Sequence, residues 1–432
     1  MNSAGSCRGV RVWRLSAGAS LVVAVALAAP IVAVAQRPRP AVPLRDLVQE
    51  AVQHNPAIAA SQHAWQASTN VPAQARALPG PEITVQQLAV GSPRPFAGFS
   101  NSDFGYIGIG AVQELPYPGK RALRGEVASH GSQSLRAQSD AALREVIESL
   151  KLAYVQLAYV QQTLPILDRN DQLLAEMQQI AESRYRVGQG TQQDVLRAQL
   201  QHTKILQEIS ARHQDEGMLQ AQLKQILNRT QNSPDIVTEP LTPTPVPFSA
   251  AELLQRARDR NPDLQARTAV ADRERAQVEL AHKELKPDFP VQYMYQHTAS
   301  PFRDYYMGTF SVRLPNRDRQ RAALAEAEEQ QGRAAAELQA ELQRVLADAQ
   351  QQYVAIQGAT ERLTIYRDGL KPQADAAFQA ALAAYSANRE DFETLLSLFL
   401  DVLHVDVAYW GELADHESAI ARLERLTGAI QP

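Results

Sequence analysis

Metal ligation and acid–base catalysis would fall first to the nine histidines: His54, His63, His130, His202, His213, His282, His297, His404 and His416. They are scattered. No two stand four residues apart, as a metal site on one helix face needs, and no HExxH occurs. One residue repeated around a symmetry axis could still assemble a site from several copies, but no cluster lies within one chain. Nucleophilic and phosphate chemistry fare no better: GxSxG, the Walker phosphate loop and the dinucleotide fingerprint are all absent. The only cysteine, Cys7, lies near the N-terminus. The residues therefore predict a non-catalytic protein with no cofactor and no metal of its own, one that takes any energy it needs from a partner.

Residues 1–35 read as a secretory signal, expected to be cleaved. Arg8, Arg11 and Arg14 precede the apolar run LSAGASLVVAVALAAPIVAVA, which ends in the small-x-small site Ala33-Val34-Ala35. An uncut run of this length could instead anchor the chain in a membrane. Cleavage would remove three arginines and no acids, taking the formal charge from −4 to −7. No basic field is left for nucleic acid. Cleavage would also remove Cys7, which precedes the apolar run and so cannot be a lipid-attachment cysteine; no thiol remains for disulfides or metal. After Ala35 no window of 18 apolar residues occurs, so the expected product is either soluble outside the cytoplasm or a membrane β-barrel.

The chain is a tandem duplication with an offset near 200 residues. LVQEAVQHNPAIAASQHAWQA from Leu47 matches LLQRARDRNPDLQARTAVADR from Leu253, with Asn55-Pro56 answering Asn261-Pro262. VQELPYPGKRAL from Val112 matches VRLPNRDRQRAAL from Val312, and SRYRVGQGTQQDVLRAQ matches AAYSANREDFETLLSLF, with Tyr185 answering Tyr385. The expected organisation is a first repeat over 36–228, a connector over 229–248 holding five prolines, a second repeat over 249–427 and a tail over 428–432.

Each repeat follows one plan. A helix comes first, about Pro56 to Leu78 and about Pro262 to Leu285, with proline in its first turn. Two short strands follow, 82–90 with 105–114 and 290–297 with 305–314, the second of each pair ended by Leu-Pro. A long helical hairpin closes each repeat, over 120–227 and 317–427. Stripes such as Leu143, Val146, Ile147, Leu150, Tyr154 and Leu157 repeat every three or four residues, and the rest is largely Gln, Ala, Glu and Arg, which suits antiparallel coiled-coil pairing. Pro165 is a candidate kink.

Strands of this length suit a bilayer crossing, yet four cannot close a barrel, and an open edge in lipid leaves backbone groups unpaired at several kcal/mol each. If they cross a membrane, several chains share one barrel. The alternative is two soluble hairpins capping a helical bundle.

The signal, the Asn-Pro starts, the two strand pairs, the Leu-Pro exits, the RYRVGQGTQQDVLRAQ tip and the duplication together resemble the outer-membrane factor (TolC-like) family. In length and in VQELPYPGKR the resemblance is to its CusC/CzcC metal-efflux branch. It implies an α+β membrane protein: long antiparallel helical hairpins forming a periplasmic tunnel, and four β-strands per chain contributed to a twelve-stranded outer-membrane barrel of a homotrimer. It implies an exit duct of a tripartite efflux system, partnered by a periplasmic adaptor and an RND-type inner-membrane pump, with heavy-metal cations as cargo. Drug or small-solute efflux, type I secretion, and a soluble periplasmic scaffold stay as alternatives.

The resemblance also assigns the helical tips. Adaptor docking is expected at Val187, Gly188, Gln189, Gly190 and Thr191, where glycine suits a left-handed turn. The second tip, Ala387, Asn388 and Arg389, lacks the family's usual glycine, which makes docking there less secure. Where relatives carry an acidic ring, this chain has Thr394 and Ser397. Glu390, Asp391 and Glu393 lie within a turn of them, as aperture charge candidates or as acids favoured by a helix's first turn. Asp401 and Asp406, deeper in that helix, are further lumen candidates.

Overall fold

The computed structural model describes residues 40–88, 105–298 and 303–428; the expected signal, residues 89–90 of the expected first strand and residues 429–432 of the expected tail lie outside them. The two repeats begin alike. In the first, α1 (Leu44–His54) gives way to α2 (Pro56–Ser68), and in the second α6 (Ala250–Arg260) gives way to α7 (Pro262–Glu284). At each junction an asparagine with φ −72° and ψ 123° caps the second helix, and proline occupies its first turn. Asn55 Oδ1 accepts from the Ala57 and Ile58 amides, and Asn261 Oδ1 from Leu264. The same side chains donate from Nδ2 to Ile226 O and Leu426 O, so each Asn-Pro start is tied to the last turn of its own repeat's hairpin.

The first repeat departs from the expected single helix over Pro56 to Leu78. It breaks at Thr69-Asn70, and a separate α3 runs Val71–Arg76 with Pro72 in its first turn. Proline lacks the N–H that a continuous helix would use there.

The strands are β1 (Glu82–Leu88), β2 (Tyr106–Gln113), β3 (Val291–Thr298) and β4 (Asp304–Phe310), in one antiparallel sheet of order β1-β2-β3-β4. The pairing of β2 with β3 joins the two repeats. β4 is shorter than the expected 305–314. Past Phe310 the pairing thins to the Ser311 N–H, which donates to Pro290 O, and to Arg313, which exchanges backbone hydrogen bonds with Asp288.

Side chains alternate across a strand, so the register sorts them into two faces. Ile83, Val85, Ile107, Ile109, Val291, Tyr293, Tyr295, Tyr306 and Phe310 share one face. The other carries Thr84, Gln86, Gly108, Gly110, Gln292, Met294, Gln296 and Thr309. The first face is mainly apolar and aromatic but also carries Gln87, Gln113, His297 and Asp304; the second mixes Gln, Thr and Gly with Leu88, Tyr106, Val112, Tyr305 and Met307; and among the described residues β1 and β4 are the two edge strands.

After each strand pair comes a long helix. α4 (Lys120–Arg186) has 67 residues, about 100 Å at 1.5 Å per residue. It runs through Pro165 without interruption. α5 (Gln192–Ile226) returns antiparallel against it. In the second repeat the rising helix is not continuous as expected: α8 (Arg317–Ile365) passes through a π-helical turn at Tyr366–Leu370 into α9 (Lys371–Ser386), and α10 (Phe392–Thr427) returns.

Three apolar clusters hold these helices. Leu47, Leu150, Leu157, Leu223 and Ile236 centre one, and Leu253, Val345, Ile356 and Leu423 of the second repeat centre another. The third, toward the tips, joins Leu167, Leu174, Ile205, Tyr385, Phe392 and Phe399 from both hairpins. The connector is strapped to the first hairpin by glutamines: Gln220 exchanges two hydrogen bonds with Ile236, and Gln161 bonds Ile236 and Thr238. Where sheet meets helices, the buried Lys120 Nζ lies 3.0 Å from Glu284 and 2.9 Å from Asp288.

Candidate functional site

The two hairpin reversals adopt the same turn. At the first, Gly188 has φ +73°, its N–H donates to Tyr185 O at 3.0 Å and the Gln189 N–H to Arg184 O at 2.8 Å. At the second, Asn388 has φ +58°, with Asn388 N to Tyr385 O at 3.1 Å and Arg389 N to Ala384 O at 2.9 Å. Both are left-handed helix ends that satisfy the last carbonyls. The missing glycine at the second tip therefore leaves the backbone path unchanged, because asparagine tolerates the left-handed region.

The outgoing helices also start alike. Thr191 and Asp194 form a reciprocal capping box on α5. Asp391 caps α10 by accepting from the Thr394 amide at 2.7 Å, a bond that holds its carboxyl below the ordinary range. Val187, Gly188, Gln189 and Thr191 are exposed and Gly190 is half-buried; Ala387, Asn388 and Arg389 are exposed. The structure thus presents two turns with outward side chains, 200 residues apart in sequence.

Residues outside the expected set bolt one tip to the other. The Arg184 guanidinium lies 4.0 Å above the Tyr385 ring and donates to Tyr385 O at 2.8 Å. Tyr385 is buried against Phe392, and that burial pushes its phenol up. The duplication aligns Tyr385 with Tyr185, but Tyr185 is exposed; the cross-hairpin partner is its neighbour Arg184. A second bolt joins Arg197 of α5 to Glu393 of α10 at 2.5 Å. No sequence signal pairs these two residues, since nothing in either helix indicates which faces meet.

The acidic candidates separate. Asp391 is engaged in its cap and Glu393 with Arg197, so these charges are already partnered. Glu390 is half-buried at the start of that turn and Asp401 is exposed on α10. Asp406 is not a free lumen charge: it is buried and pairs with Lys371 and Arg169. Among the described residues no three histidine, cysteine or acidic side chains gather to hold a metal ion, and no helix is long and apolar enough to cross a membrane.

Residues 47–229 and 253–387 match the family described as outer membrane efflux protein. No curated protein matches the sequence. Among solved structures, the outer-membrane channel OprN is 20% identical, with a TM-score of 0.76 over 90% of this chain and 91% of that one. VceC from Vibrio cholerae is 19% identical, with a TM-score of 0.76 over 89% and 96%. CusC is 13% identical, with a TM-score of 0.74 over 89% and 92%. The fold is the TolC-like one, long antiparallel helical hairpins with a small antiparallel sheet. With a family match over most of its length, this chain belongs to the outer membrane efflux protein family.

Proposed function

We propose that three copies of this chain form the outer-membrane duct of a tripartite efflux system. The observation that carries the reading is the four-stranded sheet with one mainly apolar face and two edge strands. A sheet in lipid must close, and β4 of one copy against β1 of the next, repeated three times, closes twelve strands. The apolar face then meets lipid and the polar face lines the pore. Twelve long helical segments continue it as a tunnel, and the turns at Val187–Thr191 and Ala387–Arg389 are its far end, where a periplasmic adaptor docks and couples the duct to an RND-type inner-membrane pump.

Heavy-metal cations are the proposed cargo, supported by the likeness of VQELPYPGKR and of overall length to the CusC/CzcC branch. The duct selects weakly: its pore-facing strand residues Thr84, Gln86, Gln292, Gln296 and Thr309 are neutral and Glu82 is the one charged residue on that face among the described strand residues, which leaves most selection to the pump. Drug efflux by the same duct is the outcome expected if metal resistance does not depend on it.

The test is the mass of detergent-extracted protein together with conductance in a planar bilayer. A trimer with a small conductance agrees with the duct. A monomer that stays in buffer without detergent and passes no current would refute it in favour of a periplasmic scaffold.

A further inference from the structure

The described residues gather no cluster of histidine, cysteine and acid for a metal ion, but the sheet aligns two ligands of another kind. Of the chain's five methionines, Met1 lies in the expected signal and the others are Met177, Met218, Met294 and Met307. The register sets the last two directly opposite each other on β3 and β4, in a row that runs Thr84, Gly110, Met294 and Met307 across all four strands. Side chains paired in this way start with their Cβ atoms about 4.5–5.5 Å apart. Two flexible thioether arms close that gap easily.

The row lies on the face that lines the pore in the duct reading. Burial agrees with a sheet curved around this face: Met294 is 1% exposed, whereas Ile83, Val85, Ile109 and Tyr293 on the other face are all more than half exposed. Gly110 leaves bare backbone beside the pair, since a Cβ there would stand 3.3 Å from Met294 Cε. Gln296 donates from Nε2 to Met294 Sδ at 3.1 Å, which orients that sulfur and leaves it a second lone pair. Met307 is 44% exposed, so core filling does not account for it. No residue of the row is charged, and Glu82 on the same face lies one row nearer the helices.

We propose that Met294 and Met307 form a thioether site for soft monovalent cations, Cu⁺ or Ag⁺, on the wall of the duct. The inference rests on the duct reading above and narrows its cargo. Thioether sulfur is neutral and polarisable and has no proton to lose. It therefore takes a soft cation at any pH and leaves Mg²⁺ and Zn²⁺ to oxygen, nitrogen and thiolate ligands. Two neutral sulfurs also hold an ion loosely enough for it to leave again, which passage through a pore requires. In a trimer the row repeats three times at one level. The pore wall then offers three such pairs without a fixed charge that would retain cations in general.

The experiment uses full-length protein in detergent, carrying ¹³C in its methionine methyl groups, titrated with silver nitrate in chloride-free buffer and separately with a zinc salt. Ag⁺ is expected to move the Met294 and Met307 methyl signals together and to leave those of Met177 and Met218 in place; zinc moves none of them. Met218 is 56% exposed and serves as the control for any accessible thioether. Met307→Leu conserves volume at an exposed position and should weaken Ag⁺ binding, read at the Met294 methyl, by roughly tenfold or more, while Met218→Leu changes nothing. Met294→Leu should act as Met307→Leu does, but the exposed variant decides the outcome if the buried one fails to fold. Equal Ag⁺ shifts at Met218, the same shifts with zinc, or unchanged affinity in Met307→Leu would each overturn the site. Planar-bilayer conductance of the same protein separates the two readings. A conducting protein whose paired methyls ignore Ag⁺ overturns the site and leaves the duct, whereas Ag⁺ held by the pair in a protein that passes no current overturns the duct and leaves the site.

Discussion

Gly188 and Asn388 stand at equivalent bends with φ of +73° and +58°, and each tip tolerates only what that region allows. Asn388→Gly is expected to change stability by no more than a few tenths of a kcal/mol, whereas Asn388→Val, β-branched and left-handed, costs about 1–2 kcal/mol. Limited proteolysis at the second tip, alongside thermal unfolding in detergent, measures the difference. At the neighbouring residue, the lowered Asp391 carboxyl gives the tip an acid dependence. Because its folded value lies below the ordinary one, its contribution is complete above the ordinary carboxylate range and is lost as pH falls through the lowered value. Amide protection over 392–396, measured relative to the intrinsic exchange rate at each pH, should fall on acidification. Asp391→Asn, which keeps a good capping side chain, should flatten that profile.

Among the elements, the sheet gives the sharpest test because its two faces carry opposite expectations. Ile109→Lys on the apolar face should destabilise the inserted protein by about 2–4 kcal/mol if that face meets lipid. Gln292→Lys on the other face should leave stability nearly unchanged and shift ion selectivity toward anions. Equal effects from both substitutions, read by unfolding in bilayers and by reversal potential, would mean that the faces are assigned wrongly. The junction below the sheet depends on Lys120. Replacing it with Met leaves Glu284 and Asp288 without their buried partner, at a cost of about 3 kcal/mol, and should release the heat resistance of the assembled oligomer on a gel.

Over the whole molecule, the duplication is a mechanical fact as well as a sequence one. Asn55 and Asn261 each cap a helix and hold the final turn of a hairpin some 165 to 171 residues further on. Asn261→Ala is expected to cost about 1 kcal/mol through the lost cap, and fraying of the last turn of α10 by amide exchange would report the lost tie. The arrangement of the repeats, the Asn-Pro starts, the strand pairs and the first tip were legible in the chain because each follows a local rule: a cap, a fixed proline φ, an alternation, a glycine at a reversal. The break at Thr69-Asn70 was less so, although Pro72 signals it. The π turn, the Arg184–Tyr385 and Arg197–Glu393 bolts and the glutamine straps at Gln161 and Gln220 were not legible at all. In long helices of Gln, Ala, Glu and Arg every face resembles every other, and which face meets a neighbour is set by packing between residues 16 to 201 positions apart. For the same reason Asp401 and Asp406 read alike as acids five residues apart on one helix, and only the tertiary fold made one an exposed charge and the other a buried carboxylate clamped by two cations.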